Sequence, residues 1–144
     1  LEPWNDPHNS DPRFARVRVR ERVLPVLEGE LGPGIAEALA RTAAQLREDS
    51  DAFDEMIDET IEDIVEHAEA GISVSAAALA ANPAALRHRI IRHVVAAEFG
   101  ASLTRTQTLE VARLATDWAG QGPIDLPGCR ARRLGGRIEF TARD

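Results

Sequence analysis

Five arginines crowd the stretch from Arg13 to Arg22, in a chain whose formal net charge is −7. On a helix, Arg13, Arg16 and Arg20 fall at i, i+3 and i+7 and share one stripe, while Arg18 and Arg22 form a second. Glu21 is the only acid among them. Guanidinium groups held this close repel one another unless an anion sits between them. Phosphate is the natural candidate, because the planar fork of arginine makes bidentate contacts to it. A solvated or internally paired helix would show the same spacing. A second cluster, Arg130, Arg132, Arg133 and Arg137, lies further along, where strand alternation would put Arg130 and Arg132 on one face. A third, Arg87, Arg89, Arg92 and His93, is better explained by pairing with an acidic helix across the fold. All 17 basic residues are arginine, which GC-rich coding accounts for without any appeal to function.

The negative charge is segregated. Eleven of the 24 acidic residues lie between Glu48 and Glu69 with no arginine among them, leaving 13 against all 17 arginines elsewhere. The run from Glu48 to Glu59 fails as a calcium loop, because Phe53 takes a ligand position and the required glycine is missing. Asp51, Asp54, Asp58 and Glu62 read instead as a solvated helix face. His88 and His93 stand roughly 140° apart on a helix and make poor joint ligands, and His8 and His67 have no obvious partner. No metal site is expected. The chain contains no nucleophile elbow, phosphate-cradling glycine loop or dinucleotide fingerprint. Cys129 is the only cysteine, which excludes an internal disulfide and a thiolate zinc site and leaves it as a small hydrophobe. By itself this chain is not expected to catalyse a reaction.

The elements that must position these residues can be read from punctuation and periodicity. Asp6-Pro7 and Asp11-Pro12 make Pro3 to Ser10 an extended turn segment. Asp11 is a plausible N-cap with Pro12 at the first helical position, and the helix should run to about Leu24, where Pro25 ends or kinks it. After the glycines around Pro33, an apolar stripe runs through Ile35, Leu39, Ala43, Leu46, Ser50, Phe53, Ile57, Ile61, Ile64 and Ala68. It predicts one long amphipathic helix ending near Gly71. Ile72 to Val74 alternates as a short strand, and Ser75 caps a brief helix through Leu79. Asn82-Pro83 opens a helix with Leu86, Ile90, Val94 and Ala97 inward, closed by Gly100. Thr104 and Gln107 form a capping box for the next helix, whose buried side is Leu109, Ala112 and Trp118. Short strands follow at Ile124–Leu126, Arg130–Leu134 and Arg137–Thr141, separated by Pro127-Gly128 and Gly135-Gly136. The expected fold is mainly α, a helical domain with one long amphipathic helix and a small antiparallel β-meander at its C-terminal end. At 144 residues it can bury a proper core. No run reaches the roughly 18 to 20 apolar residues of a membrane span, and no signal segment is recognisable, so no membrane partner and a cytoplasmic location are expected.

The opening stretch carries something more specific. Asp6, Pro7 and Asn9, then Phe14, Arg16 and Arg20, then Leu24, Pro25 and Leu27 resemble the segment that follows the catalytic domain in tRNA(Ile)-lysidine synthetases. The stretches from Leu39 to Glu55 and from Ile124 to Phe140 also look like that family's substrate-binding region. Val17 and Val19 depart from the family's usual Asn and Ile, so a polar contact made by that Asn does not carry over to Val17. The family's N-terminal ATP-binding domain, with its Ser-Gly-Gly-x-Asp-Ser loop, has no counterpart in this sequence. The resemblance implies a parent ligase that uses ATP with Mg2+ to attach lysine to the wobble cytidine of CAU-anticodon tRNA(Ile). It implies tRNA(Ile) and the enzyme's own catalytic domain as partners. On this reading residues 1–30 are the linker turn and Arg-rich helix joining that domain, and 31–144 the helical tRNA-binding domain. No cofactor is expected on this chain itself. The tRNA- or phosphate-binding candidates are Asn9, Arg13, Arg16, Arg18, Arg20, Arg130, Arg132, Arg133 and Arg137, with the acidic helix repelling RNA from the opposite side. The alternative is a helical protein–protein interaction module, with the long stripe forming a homodimer contact.

Overall fold

The computed structural model describes residues 11–68 and 71–143. Asn9 and the turn segment expected from Pro3 to Ser10 lie outside the described residues. The chain divides into two compact units, Leu1–Ser50 and Asp51–Asp144.

In the first unit, α1 (Ala15–Arg18) leads into a π-helical stretch, Val19–Val23, and then α2 (Leu24–Leu31). The helix starts later than expected and continues past the proline. Asp11 does not cap it: its carboxylate accepts the Arg13 backbone N–H at 2.9 Å inside a turn, and Phe14 is the N-cap. Pro25 has no N–H to give the carbonyl of Glu21, and in a regular helix its ring would collide with that carbonyl. The wider turn before it, closed by the Leu24 N–H on the Val19 carbonyl, lets the chain stay helical. Gly32, at φ +99°, ends α2. The Glu28 carboxylate then accepts the N–H groups of Gly34 and Ala36, each at 2.7 Å. These are orphan donors at the start of α3 (Ile35–Ile64), and their bonds hold the Glu28 carboxyl below its usual range.

The second unit layers helices on a five-stranded antiparallel sheet. Its strands are β1 (Val65–Ala68), β2 (Gly71–Ser75), β3 (Ile124–Leu126), β4 (Cys129–Leu134) and β5 (Arg137–Ala142), in the order β1-β2-β5-β4-β3. The expected meander is present and is extended by β2 and β1. The long helix therefore stops at Ile64, short of Gly71, and Val65 to Ala68 pairs with Gly71 to Val74 instead. Gly71 has φ +145°, and a Cβ there would collide with the backbone carbonyl of Phe140 on β5. Only glycine lets β2 approach β5 so closely.

Alternate residues of the sheet point inward: Ile72 and Val74, Ile138 and Phe140, Cys129 and Ala131, and Leu126. Helices α4 (Ala76–Ala81), α5 (Ala84–Phe99) and α6 (Arg105–Thr116) cover that face. They contribute Leu79, Ile90, Ile91, Val95, Val111 and Leu114 to one core with Ile57 and Ile64. Each such side chain contributes about 1.5–3 kcal/mol by leaving water. Ser75 caps α4, accepting the Ala78 N–H, and Gly100 closes α5 in the left-handed conformation. The Thr104–Gln107 capping box starts α6. Two inward assignments are corrected. Ala97 is exposed, the buried face of α5 being Leu86, Ile90, Ile91, Val94 and Val95. Trp118 lies beyond the end of α6 and is exposed, while Thr108, Val111, Ala112 and Leu114 form that helix's buried side.

Candidate nucleic-acid interface

The arginines sort by what their guanidinium groups already hold. In the first unit, Arg13 is clamped by Asp11, with Nε and Nη2 at 2.9 and 2.7 Å from Oδ2. That pairing lowers the Asp11 pKa, first through the side-chain bond and then through the Arg13 N–H. Arg16 lies over the Phe14 ring at 4.9 Å. Arg18 donates to the carbonyls of Pro12 and Arg13 at 2.9 and 2.8 Å, fastening the turn that precedes α1. Arg20 reaches Glu21 at 3.4 Å. The stripe argument assumes 3.6 residues per turn, so it stops applying at Val19, where the π-helical stretch begins.

In the second unit, alternation along β4 buries Cys129 and Ala131 and turns Arg130 and Arg132 outward. Each is met by one acid on a neighbouring strand. Arg130 Nε donates to Asp125 on β3 at 2.7 Å, and Arg132 pairs with Glu139, its register partner on β5, at 2.9 Å. The Arg130 bond holds the Asp125 carboxyl below its usual range, with a further contribution from Arg143. Arg130 and Arg143 also line a surface hollow of about 310 Å³ with Thr141 and Ala142. Arg130 and Arg132 both remain about half exposed.

Arg133 and Arg137 are placed differently. Arg133 donates to the carbonyl of Leu114 at 2.8 Å, an orphan acceptor in the last turn of α6, and stacks over Trp118 at 5.5 Å. Arg137 donates to Ser73 Oγ at 2.8 Å, to the Ser73 carbonyl at 3.1 Å and to the Ile64 carbonyl at 3.3 Å, and pairs with Glu66 at 3.1 Å. It ties β5 to β2, to β1 and to the last residue of α3. Arg87, from the third cluster, likewise donates to the carbonyls of Ala80 and Asn82 at the end of α4. The expected pairing of that cluster with the acidic helix is realised by Arg89, which lies 3.8 Å from Asp54 and over the Phe53 ring.

Nothing in the local sequence marks Asp125, Glu139 or Arg143 as parts of this surface. The strand register that sets the two acids opposite β4 is a tertiary property. Arg143 follows the last alternating residue and carries no local signal.

Cys129 is fully buried, and burial pushes its thiol pKa up. It is an inert core group. Among the described residues no group of three or more His, Cys, Asp or Glu is placed to hold a metal ion, and no helix is long and apolar enough to cross a membrane.

Residues 75–138, from the cap of α4 to β5, match the family described as the TilS substrate binding domain. A tRNA(Ile)-lysidine synthase of Leifsonia xyli subsp. xyli is 59% identical over 141 residues, covering 97% of this chain and 42% of the relative. The Thermobifida fusca enzyme of the same name is 45% identical over 145 residues, 99% of this chain and 44% of the relative. A Mycobacterium bovis relative is 46% identical over 124 residues, 86% and 38% respectively. The chain thus spans about two fifths of the length of these relatives. The match to the domain falls on the helices and sheet that carry the outward arginines, and the chain belongs to the tRNA(Ile)-lysidine synthase family.

Proposed function

We propose that this chain is the tRNA-binding region of a tRNA(Ile)-lysidine synthetase and holds CAU-anticodon tRNA(Ile) for modification of its wobble cytidine. The whole enzyme would adenylate that cytidine with ATP, releasing pyrophosphate, and lysine would then displace AMP. ATP and Mg2+ belong to the catalytic domain that partners this region, and this chain alone is inactive. The observation that carries the reading is the pair Arg130 and Arg132, half exposed on one sheet face in a chain 59% identical to a tRNA(Ile)-lysidine synthase. Asp125 and Glu139 pre-orient the two guanidinium groups, and Asp125 leaves both Nη groups of Arg130 for a phosphate. Arg13, Arg16, Arg18 and Arg20, with Asn9 before them, supply a second set of contacts. Arg133 and Arg137 act as positioning residues that hold the strands presenting the first set.

Titrating the chain into labelled CAU-anticodon tRNA(Ile) at low and moderate salt, with an unrelated tRNA as control, tests this reading. Saturable binding that weakens steeply with salt is expected. No binding at low salt would refute it.

Exposed Val26, Leu31, Leu39 and Leu46 support a second reading, a helical interaction or dimerisation module. Concentration-dependent mass in sedimentation would favour it, and a constant monomer mass would count against it.

A further inference from the structure

The outward face of the sheet brings another arginine beside Arg130. Arg143 follows β5, and its N–H donates to the carbonyl of Gly128, in the turn between β3 and β4, at 3.2 Å. That bond prolongs the β4–β5 ladder, in which Cys129 faces Ala142 and Arg130 faces Thr141. Two residues beyond Thr141, Arg143 therefore shares the outward side with Thr141 and Arg130. Facing side chains stand about 4.5–5.5 Å apart at Cβ and diagonal ones about 7–8 Å, within reach of long side chains. The two arginines meet over Thr141: Arg130, Thr141, Ala142 and Arg143 line one hollow of about 310 Å³, and no acid lines it. Asp125 holds Arg130 from the side, through Nε at 2.7 Å. Among the described residues the Arg143 guanidinium and the Thr141 hydroxyl have no hydrogen-bond or ion-pair partner. One carboxylate beside two guanidinium groups leaves the hollow positive, and two planar forks with a hydroxyl are a donor set for phosphate. The surface beyond says what carries that phosphate. On β2 the residue facing Thr141 is Gly71, which has no side chain to close the row. A second hollow of about 230 Å³ opens there, and its lining includes Gly71, Ser73, Arg132, Glu139 and Thr141. Thr141 borders both hollows, so a trough crosses the strands from Arg143 to Arg132. An extended polyanion engages cations along such a trough, whereas a small free anion would use one end of it.

We propose that Arg143 and Thr141 complete, with Arg130, a binding site for one phosphate of the RNA backbone, and that the backbone runs from it toward Arg132. This site rests on the tRNA-binding reading above. Arg143 contributes a charged contact and Thr141 a neutral hydrogen bond, and the two kinds of contact separate in their response to salt.

The test measures binding to CAU-anticodon tRNA(Ile) across a salt series for the unaltered chain, Arg143→Ala and Thr141→Val, with Arg41→Ala as a control. Arg143→Ala should lower the slope of log K against log salt by about one, and affinity at 0.1 M salt by roughly 3- to 10-fold. Thr141→Val keeps the shape of the side chain and should weaken binding by roughly 2- to 10-fold with the slope unchanged. Arg41→Ala should change neither. Inorganic phosphate, titrated into the unaltered chain, should shift the Thr141 and Arg143 amide signals in NMR only at concentrations far above those of the RNA. An Arg143→Ala slope equal to that of the unaltered chain, or an unchanged affinity in Thr141→Val, overturns this site and leaves the tRNA-binding reading standing. Saturation by inorganic phosphate at RNA-like concentrations makes the hollow a site for a free anion and also overturns it. Absence of any RNA binding by the unaltered chain overturns both the site and the tRNA-binding reading.

Discussion

Replacing Arg137 by alanine removes four polar contacts made by a single guanidinium: two to Ser73, one to the Ile64 carbonyl and one to Glu66. They are not equivalent. The Ser73 bonds, at 2.8 and 3.1 Å, come from a charged donor whose side chain is 28% exposed, and each is worth about 1–1.5 kcal/mol after allowing for solvent. The Ile64 bond is long at 3.3 Å and adds about half of that, chiefly because its loss leaves the end of α3 without this partner. Glu66 is largely exposed, so its pair contributes about 0.5 kcal/mol or less. Loss of the side chain should then cost about 2.5–4 kcal/mol. Urea denaturation followed by far-UV circular dichroism reads this as a midpoint lowered by about 1–2 M, given a slope near 2 kcal/mol/M. Glu66→Gln should move the midpoint by less than about 0.4 M on the same scale. Equal midpoints for Arg137→Ala and the unaltered chain would refute the assignment of Arg137 to the fold and return it to the surface contacts.

Gly71→Ala should fail to form the β2–β5 pairing, because its Cβ meets the Phe140 carbonyl at a backbone φ of +145°; loss of amide-exchange protection across Ile72 to Val74 is the readout. His88 gives a pH dependence. Its depressed pKa means the unfolded chain binds more protons just below the ordinary histidine range. Stability is therefore full above about pH 6.5 and falls as pH drops toward the depressed value. Melting temperatures between pH 7.5 and 5.5 should decline with a shallower slope in His88→Asn, and parallel curves would contradict this.

What could be read from the sequence was whatever is decided locally. The Thr104–Gln107 box, Ser75, Gly100 and the two turns flanking β4 act through neighbours a few residues away, and each does what its spacing implies. β1 could not be read in this way. Val65 to Ala68 continues the spacing of Ile57, Ile61 and Ile64, with no proline or glycine to stop the helix. It is a strand because β2 offers it an edge. Pro25 misled for the converse reason, since a wider turn accommodates it. The same limit governs the arginines. Arg130 and Arg133 look alike in sequence, yet one meets an exposed carboxylate and the other fills the end of a helix. Which acceptor each arginine finds depends on register and on helix ends brought from far along the chain, and spacing carries neither.

The strand order has a consequence for how the protein is made. β5 occupies the centre of the sheet between β2 and β4, although it is the last of these five strands to be synthesised. β2 and β1 form a hairpin early but have no sheet to join until residues some 65 positions later have left the ribosome. Closing so long a loop before any reward is slow, and the unpaired edge of β2 stays open meanwhile. A nascent chain halted before Arg137 would hold every helix of the second unit and still lack its central strand. Premature termination there should yield an aggregation-prone product rather than a shortened, working one.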